Sequence, residues 1–218
     1  MNTMCANRNL PTVDKPGLSV SLNHYIGRLR PGRAALLWGE PLRPLAAAAA
    51  AWGVARGAPV LVVDAANRFD PYLLVREART RGLDPQEALA RTRVARAFTS
   101  HQLVRLLKEG LAREPTPGGL ALLLGPVSLF YDEQVPLKER RRLFREMVET
   151  LALIKTQAPI LLLQSLLPRG ATNRHFGRVL APLVEVTGNF GAGAEERRPG
   201  GYPPAPPGLP AALGRPRG

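Results

Sequence analysis

The residues that could do chemistry begin at Gly39, where the run Gly39-Glu40-Pro41-Leu42-Arg43-Pro44-Leu45-Ala46 follows the apolar stretch Ala34 to Trp38. A strand, a glycine and then a helix start is the frame of a phosphate cradle of the form G-x-x-x-x-G-K-[ST]. Its glycines turn backbone N–H groups toward the phosphates, its lysine neutralises them, and its hydroxyl holds Mg²⁺. In this sequence only the first glycine stands. Pro44 replaces the second glycine, Leu45 the lysine and Ala46 the hydroxyl residue. Arg43 could return part of the missing charge, but Pro41 and Pro44 each remove a backbone donor.

Other chemistry finds little support. No G-x-S-x-G or H-E-x-x-H pattern occurs. The single cysteine, Cys5, excludes an internal disulfide, and His24, His101 and His175 have no ligand spacing, so no metal site is expected. Asp64 and Gln164 each end an apolar run. They read as strand-end polar residues with local hydrogen bonds.

The elements that would position these residues alternate. After the first strand, a helix is expected from about Leu45 to Arg56, with six successive alanines (Ala46 to Ala51) that let it lie close to a sheet and Gly57 as its C-terminal stop. Val60 to Asp64 reads as a buried strand, and Pro71 to Arg81 as a helix capped by Asp70. A short helix follows from Asp84-Pro85, then a strand at Arg93 to Ala97. Thr99 or Ser100 caps a helix running from His101 to about Arg113. Leu120 to Leu124 and Pro159 to Gln164 are buried strands around a long helix, Pro136 to Gln157. A last strand is expected near Leu180 to Val186. Strands alternating with helices predict an α/β domain with a mostly parallel central sheet flanked by helices, over residues 17–187. Residues 1–16 read as a flexible arm and 188–218 as a disordered Pro/Gly/Arg-rich tail.

The chain has 218 residues and a net charge of +13, from 30 Lys+Arg against 17 Asp+Glu. Four lysines against so many arginines suggest codon bias, but bias does not explain the shortage of acids. A polyanion partner, single-stranded DNA above all, is therefore expected. No apolar run is long enough to span a membrane, and no signal peptide is visible, so a cytoplasmic protein is expected.

The order of segments resembles the ATPase core of the RecA/RadA recombinases, especially archaeal RadA and relatives such as KaiC. Gly27-Arg-Leu-Arg-Pro-Gly32 with AALLWGEP is similar to that family's approach to its phosphate loop. Val63 to Phe69 resembles its IDTEGTF element. Arg81-Gly-Leu-Asp-Pro85 with Val94 to Gln102 (VARAFTSHQ) is the closest likeness. The resemblance implies a RecA-like P-loop NTPase fold over about residues 17–187. The departures fall on catalysis: the P-loop Lys and Thr correspond to Leu45 and Ala46, the water-activating Glu to Ala66, and the Mg²⁺-linked Asp to Gly125. With those four gone, no part of the phosphoryl-transfer machinery is left, so a pseudo-ATPase without ATP or Mg²⁺ is expected.

By the same resemblance, two DNA-facing loops correspond to Leu129 to Lys138 and Ser165 to Arg178. The second holds Arg169, Arg174, His175, Phe176 and Arg178, cations around an aromatic ring that suit single-stranded DNA. The run Arg140-Arg141-Arg142 reads as a water-facing stripe. The function expected is an inactive RecA/RadA-like accessory factor in DNA recombination or repair, binding single-stranded DNA, a recombinase partner or its own copies. A protein-interaction scaffold without DNA binding, or a weak nucleotide sensor with a rebuilt pocket, are the alternatives.

Overall fold

The computed structural model describes residues 25–27, 29–112, 118–165 and 176–190. The expected N-terminal arm lies outside them, as does the expected C-terminal tail from residue 191 onward, whereas residues 188–190 of that tail are strand. Six strands form one sheet in the order β3-β2-β4-β5-β1-β6. They are β1 (Ala34–Gly39), β2 (Val60–Asp64), β3 (Thr92–Arg96), β4 (Leu120–Leu124), β5 (Ile160–Gln164) and β6 (Val186–Phe190). Every pairing is parallel.

The sequence of the strands explains why both faces of the sheet are covered. Alternate residues point to opposite sides, and here both sets are apolar. Leu37, Val62, Leu122 and Leu161 enter one core cluster, while Leu36, Val63, Leu123 and Leu162 enter another. β4 and β5 are buried along their whole length, as continuous Leu/Ile runs in a parallel sheet should be.

Helices α1 (Leu42–Ala55), α2 (Pro71–Thr80) and α3 (Pro85–Ala90) close the first cluster. The alanines of α1 do what their size allows. At Gly53 an added Cβ would lie 2.7 Å from Val60 Cγ2 and 3.3 Å from Leu120 Cδ2, so α1 rides directly on β2 and β4. Tyr25, Ile26 and Leu29 seal the same side. Helices α4 (Ser100–Arg105), α5 (Leu137–Gln157) and α6 (Phe176–Leu180) cover the second cluster.

The caps follow the chemistry of the side chains. Asp70 accepts from the amides of Tyr72 and Leu73, Asp84 from those of Gln86 and Glu87, and Thr99 from that of Gln102. Three boundaries depart from expectation. The helix expected from His101 to about Arg113 turns into a π-helical segment at Leu106–Leu111. The segment expected as the last strand is instead α6 followed by a 3-10 turn at Ala181–Leu183. Pro182 has no N–H for a ladder, and Leu180 and Leu183 are buried against the second cluster. The strand itself, β6, runs to Phe190, beyond the boundary expected at residue 187.

Helix α1 also begins earlier than expected, at Leu42 rather than near Leu45. Pro44 falls in the first turn, where its missing N–H costs nothing because the first amides of a helix have no intrahelical acceptor. That shift of boundary decides the shape of the candidate site.

Candidate functional site

The neighbours β2, β4, β5 and β1 bring Asp64, Gly125, Gln164 and Gly39 to the carboxyl edge of the sheet, where open α/β sheets bind ligands. Asp64 is in register with Leu124, Leu124 with Leu163, and Gln164 with Trp38. The residues singled out in the sequence at the strand ends are thus spatial neighbours along one edge.

At the first of these ends, only Glu40 and Pro41 separate strand from helix. Gly39 has φ +140°, and a Cβ there would collide with the Phe190 carbonyl oxygen, so the end of β1 is closed against β6. Glu40 Oε2 accepts the Leu42 amide at 3.1 Å. A carboxylate of the chain itself therefore takes the first-turn amide at the positive end of α1. Pro44 in the same turn has no amide to offer. Leu45 and Ala46 are 1% and 0% exposed and point into the first core cluster. Arg43 is exposed. In this two-residue connection the Leu42 amide is already taken by Glu40, and Pro44 has none to offer a ligand.

At the next end, Asp64 is fully buried and fully occupied. Its Oδ1 accepts the amides of Ala66 (3.2 Å) and Arg68 (3.0 Å), and its Oδ2 those of Arg68 (3.0 Å) and Phe69 (2.8 Å). Arg96 Nε lies 3.6 Å from Oδ2, and the same guanidinium donates to the Phe69 carbonyl at 3.2 Å. The carboxylate folds the 65–69 loop, in which Asn67 takes φ +51°, and ties it to the end of β3. Gln164 is buried too. Its Oε1 accepts the Val127 amide at 3.1 Å, while Nε2 donates to Ser128 Oγ at 3.2 Å and the Ser165 carbonyl at 3.0 Å. Both polar ends hold loops in shape, Asp64 its own following loop and Gln164 the loop after β4.

Between them lies Gly125, φ +69°, against Ala66: an added Cβ would meet Ala66 Cβ at 2.9 Å and Ser128 Oγ at 2.9 Å. Among the described residues, no three His, Cys, Asp or Glu side chains converge so as to hold a metal ion. No protein-family model matches this sequence.

The expected DNA loop is covered only in part. Arg169, Arg174, His175 and the side chain of Arg178 lie outside the described residues. Phe176 requires a correction. Its ring is 5% exposed and packs on Phe144 (4.7 Å between centroids), Tyr131 (5.7 Å) and Phe130 (5.8 Å), so it fills the second core cluster instead of facing a base. A ring at the start of α6 is drawn inward because α5 presents Phe144 to it. The Arg140–Arg142 run is likewise divided. Arg140 is buried and donates to the Phe130 carbonyl at 3.3 Å, whereas Arg141 is exposed.

Arg142 belongs to a surface network joining α4 to α5. Glu139 accepts from Arg142 at 2.7 Å and meets His101 Nε2 at 3.2 Å, and Glu146 binds Arg142 and Lys108. The hydrogen bond from Arg142, then that from His101, holds the Glu139 carboxyl below the usual range. Glu146 is lowered chiefly by Lys108. Trp38 packs against the second cluster, and Trp52 lies under the Arg56 guanidinium at 4.8 Å.

Sequence reasoning missed the Lys155–Glu185 pair (2.8 Å), whose Glu185 also accepts the Ala34 amide at 2.7 Å. These partners are 30 and 151 residues apart, so no local pattern could have joined them. Among the described residues no helix is long and apolar enough to cross a membrane.

Proposed function

We propose that this chain is a catalytically inactive RecA/RadA-like protein, with a RecA-like P-loop NTPase fold that has lost its nucleotide pocket. It serves as an accessory factor in DNA recombination or repair, binding single-stranded DNA, a recombinase partner or both. The observation that carries this reading is the junction at Gly39: two residues link β1 to α1, and the side chains at the lysine and threonine positions of the resemblance are core residues. The all-parallel sheet supports it, because the strands ending in Gly39, Gln164 and Leu124 are adjacent, as a site built from them requires. A cation excess of 30 Lys+Arg over 17 Asp+Glu supports the DNA partner over a neutral scaffold.

Binding to single-stranded DNA across a range of salt tests the reading. The expected result is an affinity that falls steeply and linearly in log–log form as counterion release is suppressed. Absent binding, or binding indifferent to salt, would sink the DNA role and favour the interaction scaffold.

A further inference from the structure

With Phe176 committed to the core, the described rings most open to solvent are Tyr72, 84% exposed, and Phe98, 64% exposed. Single exposed hydrophobic side chains are ordinary. These two are not scattered. The Arg96 guanidinium donates to the Phe69 carbonyl at 3.2 Å, and the Ala97 amide to the Asp64 carbonyl at 3.2 Å. That stitching fixes the end of β3 beside the 65–69 loop. Tyr72 follows Phe69 by three residues and Phe98 follows Arg96 by two, each residue a step of about 3.8 Å. Tyr72 and Phe98 therefore leave the chain within a few residues of one corner of the sheet's carboxyl edge, Tyr72 on α2 and Phe98 just before α4.

The charge at that corner is one-sided. Every acid from residue 64 to 98 is engaged: Asp64 with three backbone amides and Arg96, Asp70 and Asp84 as helix caps, Glu77 with Arg81 (3.8 Å), Glu87 with Arg91 (2.8 Å). Among the described residues, no carboxylate forms an ion pair with Arg68, Arg76 or Arg79. All three arginines are exposed. Tyr72, Arg76 and Arg79 stand at i, i+4 and i+7, so they share one face of α2, opposite the buried Leu74 and Ala78. Cations that track phosphates beside open rings that stack bases are what a single strand needs.

We propose that single-stranded DNA crosses this corner, with bases stacked on Tyr72 and Phe98 and phosphates met by Arg68 and Arg76. The proposal rests on the DNA-binding reading above but assigns it to a surface outside the loops that the resemblance pointed to. The test is fluorescence anisotropy of the full chain with a labelled oligodeoxythymidine longer than the ~4–16 nucleotides one such groove covers. Tyr72→Ala and Phe98→Ala should each weaken binding about tenfold, while Tyr72→Phe and Phe98→Tyr restore it. Arg68→Gln with Arg76→Gln should flatten the log–log salt slope by about 1.4, the share of two phosphate contacts. If the wild-type chain binds and all these variants bind equally well, the corner is not the site, while the DNA-binding reading stands. If the wild-type chain does not bind at all, both fall. Variants that keep DNA affinity but turn an oligomer into a monomer on sedimentation would assign the corner to a second copy and overturn the proposal.

Discussion

Gly125 and Ala66 are packed against each other so closely that a Cβ on Gly125 would lie 2.9 Å from that of Ala66. In the RecA/RadA-like reading proposed above, these two positions correspond to a metal-linked aspartate and a water-activating glutamate, side chains that need space between them. A Cβ on Gly125 would also meet Ser128 Oγ at 2.9 Å and the Ala66 amide nitrogen at 3.2 Å, so this contact leaves no such space. Gly125→Ala should therefore cost about 2–4 kcal/mol, from the positive φ and from overpacking together. Urea denaturation measures it, and a variant as stable as the wild type would show that the contact is loose.

Restoring the lysine should harm the protein without reviving it. Leu45 is 1% exposed inside the first core cluster, so Leu45→Lys forces an ammonium into an apolar site. The expected loss is about 3 kcal/mol or more, in line with the cost of burying an unpaired ion. A Leu45→Lys protein that melts like the wild type and gains affinity for nucleotide would mean that the side chain can reach a surviving pocket.

The Lys155–Glu185 pair ties α5 to the start of β6 and, through the Ala34 amide, to β1. Burial pushes the Glu185 carboxyl up, but the Lys155 ammonium and the Ala34 amide outweigh it and leave the group below its ordinary value. A lowered carboxylate contributes stability in full above its unfolded pKa of about 4.3 and loses it as pH falls through the folded value. Melting temperature should thus drop on acidification below about pH 4 more steeply in the wild type than in Glu185→Gln. The two curves should converge at low pH. Parallel curves would remove Glu185 from any part in acid stability.

Phe176 and Phe98 should respond oppositely to truncation. Phe176→Ala empties a place among Phe130, Tyr131 and Phe144 and should cost about 3–5 kcal/mol. Phe98→Ala removes a ring that is 64% exposed and should cost less than about 0.5 kcal/mol. Equal, small costs in chemical denaturation would show that the aromatic cluster is not a core.

Much of this architecture was legible in the sequence because it is written locally. Asp70, Asp84 and Thr99 cap the helices that follow them, and Gly57 and Gly82, at φ +73° and +69°, stop the helices before them. The Leu-rich runs of β4 and β5 could be little else than doubly covered strands. What escaped was set by contacts between distant segments. Whether Pro44 opens α1 or sits inside its first turn depends on how tightly Gly39 closes against Phe190. Leu180 to Leu183 has the apolar content of a strand, and only its seat on the second cluster makes it helical. At the candidate site, the amides that Asp64 accepts lie within five residues of it, as its local reading expects, whereas Gln164 reaches Val127 and Ser128, 37 and 36 residues away. Phe176 was misread, since spacing among arginines says nothing about which way a ring turns. Tyr72 and Phe98 passed unremarked because exposure is a property of the folded surface.

The account depends most on the junction of β1 and α1 having no room for a triphosphate. Thermal unfolding of the full chain with and without millimolar Mg²⁺–ATP tests this directly, since any ligand held only by the folded state must raise its stability. The account predicts superimposable melting curves. A saturable rise in melting temperature with increasing Mg²⁺–ATP would contradict it.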